Sequence, residues 1–451
     1  MRILVLSDTY PPANRGGAGE VASLVADGLA ARGHELLVIA GTAPGSPAGR
    51  TGSPPGRPGV AVARVAAPTW SVARRHLSLA NPVAVAEVWR LARAFRPDAV
   101  HAHNVHERLS FAALAVARGG APRDRVPVVL TAHDYLLFCL TKFLCSRGDA
   151  GFQATPTRCT HCASIRRVPG RNAIVHAIVR RHVSTVACIS HAQSRALGAN
   201  GFADVAHEVV YNGLDATTCE TRPGDGAAFR ARLGLDDRPI ILYGGRASGA
   251  KGGDQLVRAM AHVTRRVPAQ LVVLGDRPEY FAVVRRIADE VGLPAGVVHD
   301  GGWLDAEALR EAHGAAAACA IPSVYPDPFN LMTLRAMLHG KPVVGTCHGA
   351  TPELVVDGVT GRIADPWDAG AFGNAIADIL EGPGMGRAMG TAGRARGLRE
   401  FTLHRQLDGY ARLLGVPAPT AYPPNPHVPA EPPNPLPGAG MGGYPHVSRS
   451  G

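Results

Sequence analysis

The chain has 451 residues, 46% of them hydrophobic and 5% aromatic, and a formal net charge of +11. That length exceeds one ordinary domain, so two are expected, each with a sizeable core. The positive balance admits anionic partners such as nucleotides, lipid head groups or nucleic acid, but Lys and Arg are scattered and no RNA- or DNA-binding signature accompanies them, so no nucleic-acid partner is expected.

Residues 3–6 form a short apolar run, too short for the apolar core of a signal peptide. No uninterrupted apolar stretch reaches the roughly 20 residues that a bilayer span needs. The expected location is therefore cytoplasmic, with the eight cysteines reduced and any membrane contact peripheral. After this first strand come the turn-rich Thr9–Gly17, a helix over 20–31, a stop at Gly33 and a strand over 36–40. Strand, loop, helix and strand in that order open a parallel α/β sheet. The Gly/Pro/Ser-rich stretch 41–60 reads as a flexible excursion. A helix over 84–95 follows, with strands at 99–103, 128–131 and 185–190.

Near Tyr211–Asp215 the pattern resets. The apolar run 239–243 opens a second sheet, continued by strands over 270–274, 317–322 and 341–345. One helix over 388–414 closes the folded part, and the Pro/Gly-rich residues from Val416 onward read as a disordered tail. The expected division is 1–213, 214–387, a terminal helix 388–415 and a tail 416–451. Ligands of open parallel sheets settle beyond the carboxyl ends of the strands, and the polar motifs all follow predicted strands.

Gly244–Gly253 is a glycine loop at a strand end, where backbone N–H groups and the following helix favour an anion. Arg246 and Lys251 on this loop supply two cations that suit a diphosphate. Asp327-Pro328 reads as a helix start, with Asp327 as cap and Pro328 at the first helical position. The N–H groups of Asn330 and Leu331 then face the same anion, and Asp327 is placed to accept from sugar hydroxyls. His133 and His103 each follow a strand, at the edge that also carries Gly16 and Gly17.

These motifs together resemble family 4 of the glycosyltransferases, retaining enzymes that use nucleotide sugars and have the two-domain GT-B fold. The resemblance runs from about residue 2 to 415. It rests on Gly16-Gly-Ala-Gly-Glu20, Arg32-Gly-His-Glu35, His101-Ala-His-Asn104, Thr131-Ala-His-Asp134, Asn212-Gly-Leu-Asp215, Gly245-Arg246 with Lys251-Gly252, and Pro322–Gly345 through Gly349-Ala-Thr-Pro-Glu353. It implies two Rossmann-like parallel-sheet domains facing across a cleft. It also implies that Arg246 and Lys251 bind the donor diphosphate, that Asp327 contacts the transferred sugar, and that His133 lies near the reacting carbon. Asn330, Leu331, Arg335 and Glu353 complete the implied donor site, while Gly16 and Gly17 line the junction with the acceptor. Family members need no metal for catalysis.

Two positions depart from the family pattern. Its paired acidic motif has a second glutamate, which accepts from the donor ribose, where this chain has Arg335. Arginine carries five donors and no acceptor, so it cannot copy that role; the expectations are a partner carboxylate, a more anionic donor, or simply weaker donor binding. Asn330 stands where glycine is usual.

Cys139, Cys145, Cys159 and Cys162 lie close together in an apparent insertion over 139–162, and four thiolates suit a structural zinc. Arg166, Arg167, Arg171, Arg180 and Arg181 flank a helix near 174–179 that suits an anionic membrane surface, or simply faces water. The expected function is transfer of a sugar from a nucleotide diphosphate donor to a glycan, lipid-linked or small-molecule acceptor, as in polysaccharide biosynthesis. A nucleotide-sugar epimerase of the same fold and a catalytically impaired sugar-binding relative are the alternatives.

Overall fold

The computed structural model describes residues 1–12, 16–43, 49–51, 59–67, 74–122, 124–144, 170–244, 249–275 and 278–416. Met1–Pro419 is one compact unit. The predicted tail from residue 417 on lies outside the described residues. Val416, read as the tail's first residue, is instead buried, and its N–H donates to Ala411 O at 2.8 Å.

The first sheet is built from β1 (Arg2–Ser7), β2 (Glu35–Thr42), β3 (Gly49–Thr51), β4 (Val60–Ala66), β5 (Ala99–Ala102), β6 (Val128–Ala132), β7 (Thr185–Cys188) and β8 (His207–Val209). Its spatial order is β3-β4-β2-β1-β5-β6-β7-β8, parallel throughout except for the antiparallel edge strand β3. That strand falls in the stretch read as a flexible excursion, and β4 follows it. The second sheet comprises β9 (Ile240–Gly244), β10 (Gln270–Leu274), β11 (Val298–Gly302), β12 (Ala316–Ile321), β13 (Val343–Thr346) and β14 (Gly361–Ala364). Its order is β11-β10-β9-β12-β13-β14, all parallel.

Continuous apolar runs become strands here because both faces of each sheet are covered by helices. In the first sheet Leu4, Leu6, Leu37 and Ile39 enter one core, while Ile3, Val5, Leu36 and Val38 enter the core on the opposite face. The second sheet divides Ile240 and Leu242 from Ile241 and Tyr243 in the same way. Strand order reverses between β1 and β5 in one sheet and between β9 and β12 in the other. These are the switch points where crevices open beyond the strand ends.

The chain crosses between the sheets at two adjacent places. Leu214 N–H donates to Phe401 O at 3.3 Å, and Leu403 N–H donates to Leu214 O at 3.1 Å. A Cβ on Gly213 would lie 2.1 Å from Thr402 O, so only glycine permits this approach. The single terminal helix expected over 388–414 is two helices, Pro383–Glu400 and Leu403–Leu413. Phe401 ends the first in non-helical geometry and Thr402 caps the second, its side chain accepting from Arg405 N–H. The second helix returns to the first sheet, burying Leu407, Tyr410 and Ala411 in the core that holds Ile3 and Val5.

Candidate active site

At the carboxyl end of β1, Asp8 is buried and accepts from the N–H groups of Glu107 (2.5 Å), Arg108 (2.9 Å) and Leu109 (2.8 Å). This fixes the loop that leaves β5. Burial pushes the Asp8 carboxyl above its usual range, against the pull of His106 and the three N–H groups. Asn104 bridges to the next strand: its Nδ2 donates to Asp134 Oδ2 at 3.0 Å and its Oδ1 accepts from His133 N–H at 3.1 Å. His103 Nδ1 lies 2.8 Å from His133 Nε2, with the two rings stacked at 5.1 Å.

Burial pushes His133 down to about 4, with Asp134 opposing and His106 adding to the fall. The ring is therefore neutral near pH 7 and serves as a hydrogen-bonding group rather than a cation. Asp134, although burial alone would raise it, is held well below the usual carboxylate range by His106, Lys142 and the Leu136 N–H. His106 Nε2 stands 3.3 Å from Asp134 Oδ2. Behind this layer, buried His101 reaches Thr131 Oγ1 at 2.8 Å, and that hydroxyl reaches Tyr410 at 3.2 Å. The returning terminal helix thus props the histidine layer from beneath.

From the second sheet, Lys251 follows β9 on a short helical turn and donates to Asp327 Oδ2 at 2.5 Å. Its ammonium also stands 5.3 Å from the Tyr325 ring centroid. Asp327 does not cap the helix as expected. It is 3% exposed and accepts from Lys251 and from Asn330 Nδ2 at 3.2 Å. The cap is Asn330, whose Oδ1 accepts from Met332 N–H at 2.9 Å, and the helix runs Leu331–Leu338. Its extended φ/ψ at Asn330 and short polar side chain favour that position over the buried aspartate. Gly349 is pressed on Asp327: φ is +65°, and a Cβ would lie 2.4 Å from Asp327 O.

The two halves meet over this group. A Cβ on Gly17 would lie 3.3 Å from Leu331 Cδ1, so the start of the first helix, Gly17–Ala31, touches the start of Leu331–Leu338. Arg335 donates to Glu20, which answers the expectation of a partner carboxylate and places it on the opposing half. Tyr135 O–H donates to Pro326 O at 2.6 Å, and Phe143 meets the Tyr325 ring edge-on at 5.2 Å. Glu353 is engaged elsewhere. Its carboxylate accepts from the N–H groups of His191 (2.9 Å) and Ala192 (2.6 Å) and from the Tyr211 hydroxyl (2.8 Å).

The structure therefore sets Lys251, Asp327 and Asn330 together, brings Gly17 against Leu331 and Glu20 against Arg335, and holds His133 with His103 and Asn104, two residues before Tyr135, which reaches Pro326. Arg246, Cys145, Cys159 and Cys162 lie outside the described residues, as do Arg166 and Arg167. Cys139 is buried, with its sulfur 3.3 Å from Thr141 Oγ1. Asp8, His106 and Tyr135 were missed in the sequence. A strand-end acid directly after the first apolar run was the available signal for Asp8.

Two parallel sheets whose switch points face one polar cleft define the GT-B class of glycosyltransferase fold. Sucrose-phosphate synthase from Thermosynechococcus elongatus is similar, with a TM-score of 0.71, 23% identity and coverage of 91% of this chain and 98% of that one. Anabaena HepE, solved with UDP and glucose, is similar with a TM-score of 0.68, 22% identity and coverage of 92% and 99%. Residues 15–218 match the profile of Glycosyltransferase Family 4, and residues 226–396 match that of Glycosyl transferases group 1. A GDP-mannose-dependent alpha-(1-6)-phosphatidylinositol monomannoside mannosyltransferase of Mycolicibacterium smegmatis is 31% identical over 273 residues, 59% of this chain and 67% of that relative. Two further curated relatives are matched over 42% and 52% of their own length. The chain belongs to the family 4, group 1 glycosyltransferases.

Proposed function

We propose that the protein transfers a sugar from a nucleotide diphosphate sugar to a glycan, lipid-linked or small-molecule acceptor, with retention of anomeric configuration. One observation carries this reading. Lys251, Asp327 and the start of helix Leu331–Leu338, from one half, meet the other half at Gly17, which lies against Leu331, and at Tyr135, which follows His133 by two residues and reaches Pro326. Lys251 and the N–H groups at the helix start neutralise the departing diphosphate, which is where negative charge grows as the glycosidic bond breaks. Arg246 would add a second cation on the same loop.

Asp327 orients the sugar hydroxyls, and Lys251 exchanges part of its hold on Asp327 for the phosphate oxygens. His133, neutral, holds the sugar by a hydrogen bond while His103 fixes its ring. No side chain in the group is posed as a nucleophile, so attack on the same face, assisted by the leaving phosphate, accounts for retention. With this cation and helix end at the phosphate, the reading needs no metal at the reacting centre. The named activity of the mannosyltransferase relative and the UDP held by the Anabaena protein support a nucleotide-sugar donor, and GDP-mannose and UDP-glucose are the first donors to try. Among the described residues no helix is long and apolar enough to cross a membrane, and a cytoplasmic enzyme with peripheral contact to a lipid-linked acceptor fits this reading.

The test is an acceptor screen with a radiolabelled donor, followed by proton NMR of the product linkage. Transfer with the donor's own anomeric configuration is expected. An inverted product would remove the same-face mechanism, and interconversion of the donor without an acceptor would make the protein an epimerase.

A further inference from the structure

Cys347, His348 and Asp365 form a group of metal-ligating side chains apart from the cleft residues assigned above. Their donor atoms all lie within 4.8 Å of one another. Strand register brings them together. Thr346 on β13 is opposite Ala364 on β14, so Cys347 and Asp365 leave the sheet side by side. Cys347 N–H donates to Ala364 O at 3.2 Å, and His348 N–H donates to Thr346 Oγ1 at 3.2 Å. Asp365 Oδ1 accepts from Trp367 N–H at 3.0 Å, which sets the direction of the carboxylate.

We propose that Cys347, His348 and Asp365 are a binding site for a thiophilic divalent cation of the zinc class. His348 Nε2 is 3.9 Å from Cys347 Sγ and 3.8 Å from Asp365 Oδ1, so one ring nitrogen serves both neighbours. Zinc bonds of about 2.3 Å to sulfur and about 2.1 Å to nitrogen or oxygen, spread tetrahedrally, hold ligand atoms roughly 3.5 Å apart. A contraction of roughly 0.4 Å brings both His348 contacts to that spacing, and rotation of the exposed Asp365 side chain draws its carboxylate and the Cys347 sulfur, within 4.8 Å of each other, the rest of the way. A thiolate, an imidazole and a single carboxylate disfavour magnesium and calcium, which take oxygen ligands. Three protein ligands leave a fourth position for water or an anion, and exposed Cys347 gives the ion an entry path.

The ion would tie the ends of β13 and β14 at the loop that carries Gly349 and Ala350. Ala350 N–H donates to Asp327 O at 2.9 Å, so the site adjoins the cleft by one backbone contact. The proposal stands on these three side chains and not on the donor reading.

The test uses the full chain stripped with a chelator, titrated calorimetrically with zinc chloride and optically with cobalt(II). The wild type is expected to take up one equivalent that Cys347→Ser and Asp365→Asn lose, or bind roughly a hundredfold or more weakly. Cobalt should give a thiolate charge-transfer band that Cys347→Ser abolishes and that Cys159→Ser/Cys162→Ser keeps. Melting curves of the metal-free variants should match the wild type, because the substituted side chains face the surface. Equal zinc uptake by wild type and Cys347→Ser would overturn the proposal. So would no uptake at all, or a band that only the Cys159/Cys162 variant loses.

Discussion

Replacing Lys251 by Met separates two roles that one ion pair fills. Asp327 is 3% exposed and the Lys251 side chain 18% exposed, so the pair is largely out of water. Removing one member of a buried pair costs about 3–5 kcal/mol, because the other charge remains without compensation. Asn330 Nδ2 still donates to the same carboxylate oxygen, which favours the low end, about 3 kcal/mol. At roughly 2 °C per kcal/mol for a chain of this size, Tm falls by about 6 °C. Lys251→Met with Asp327→Asn removes the stranded charge and should recover most of that loss. Donor turnover should not recover, since the cation for the leaving diphosphate is gone. The assay pairs differential scanning calorimetry with nucleoside diphosphate release, on wild type, both single variants and the double variant. A double variant as unstable as Lys251→Met, or one that turns donor over at the wild-type rate, would refute the reasoning.

Other consequences concern the closure, the packed glycine and the histidine layer. Arg335→Glu sets a carboxylate against Glu20 across the cleft, so donor KM should rise, and Glu20→Arg in the same chain should bring it back. A double-mutant cycle with no coupling in KM would dismiss the pair as a closure contact. Gly349→Ala should cost 2 kcal/mol or more in urea unfolding, from positive φ and a Cβ driven onto Asp327 O; an unchanged midpoint would contradict this packing. His101, His133 and His313 are pushed by burial to about 3, 4 and 4. Their folded values lie below the unfolded value, so the stability they carry is complete above about pH 6.5 and falls with pH below it. Between pH 6.5 and 5 each loses about 2 kcal/mol. Calorimetry from pH 7.5 to 5 should show Tm falling only below about 6.5, and a flat profile would argue against neutral buried imidazoles.

Local signals made much of this legible. Central strands such as 3–6 and 270–274 are apolar on both faces and bounded by turn residues, so they stand out in sequence. Edge strands β8 and β14 are short and only partly buried, and their pairing is set by neighbours that sequence does not display. The helix start at 327–331 was misread for a different reason. Asp-Pro satisfies the rule for a cap, but burial against Lys251 outweighs it and passes the cap to Asn330. Glu20 and Arg335 are both visible in the sequence, yet nothing local joins residues so far apart in the chain. Likewise, Thr402 breaks the terminal helix because the chain must turn there to return to the first sheet.

The central claim is that Lys251, Asp327 and the helix at Leu331 hold a sugar nucleoside diphosphate. Calorimetric titration with UDP-glucose, GDP-mannose and other nucleotide sugars, on wild type, Lys251→Met and Arg335→Glu, tests it most directly. The account predicts that the wild type binds at least one donor, that Lys251→Met weakens it tenfold or more, and that Arg335→Glu still binds a donor. No binding by the wild type, or equal binding by Lys251→Met, would contradict it.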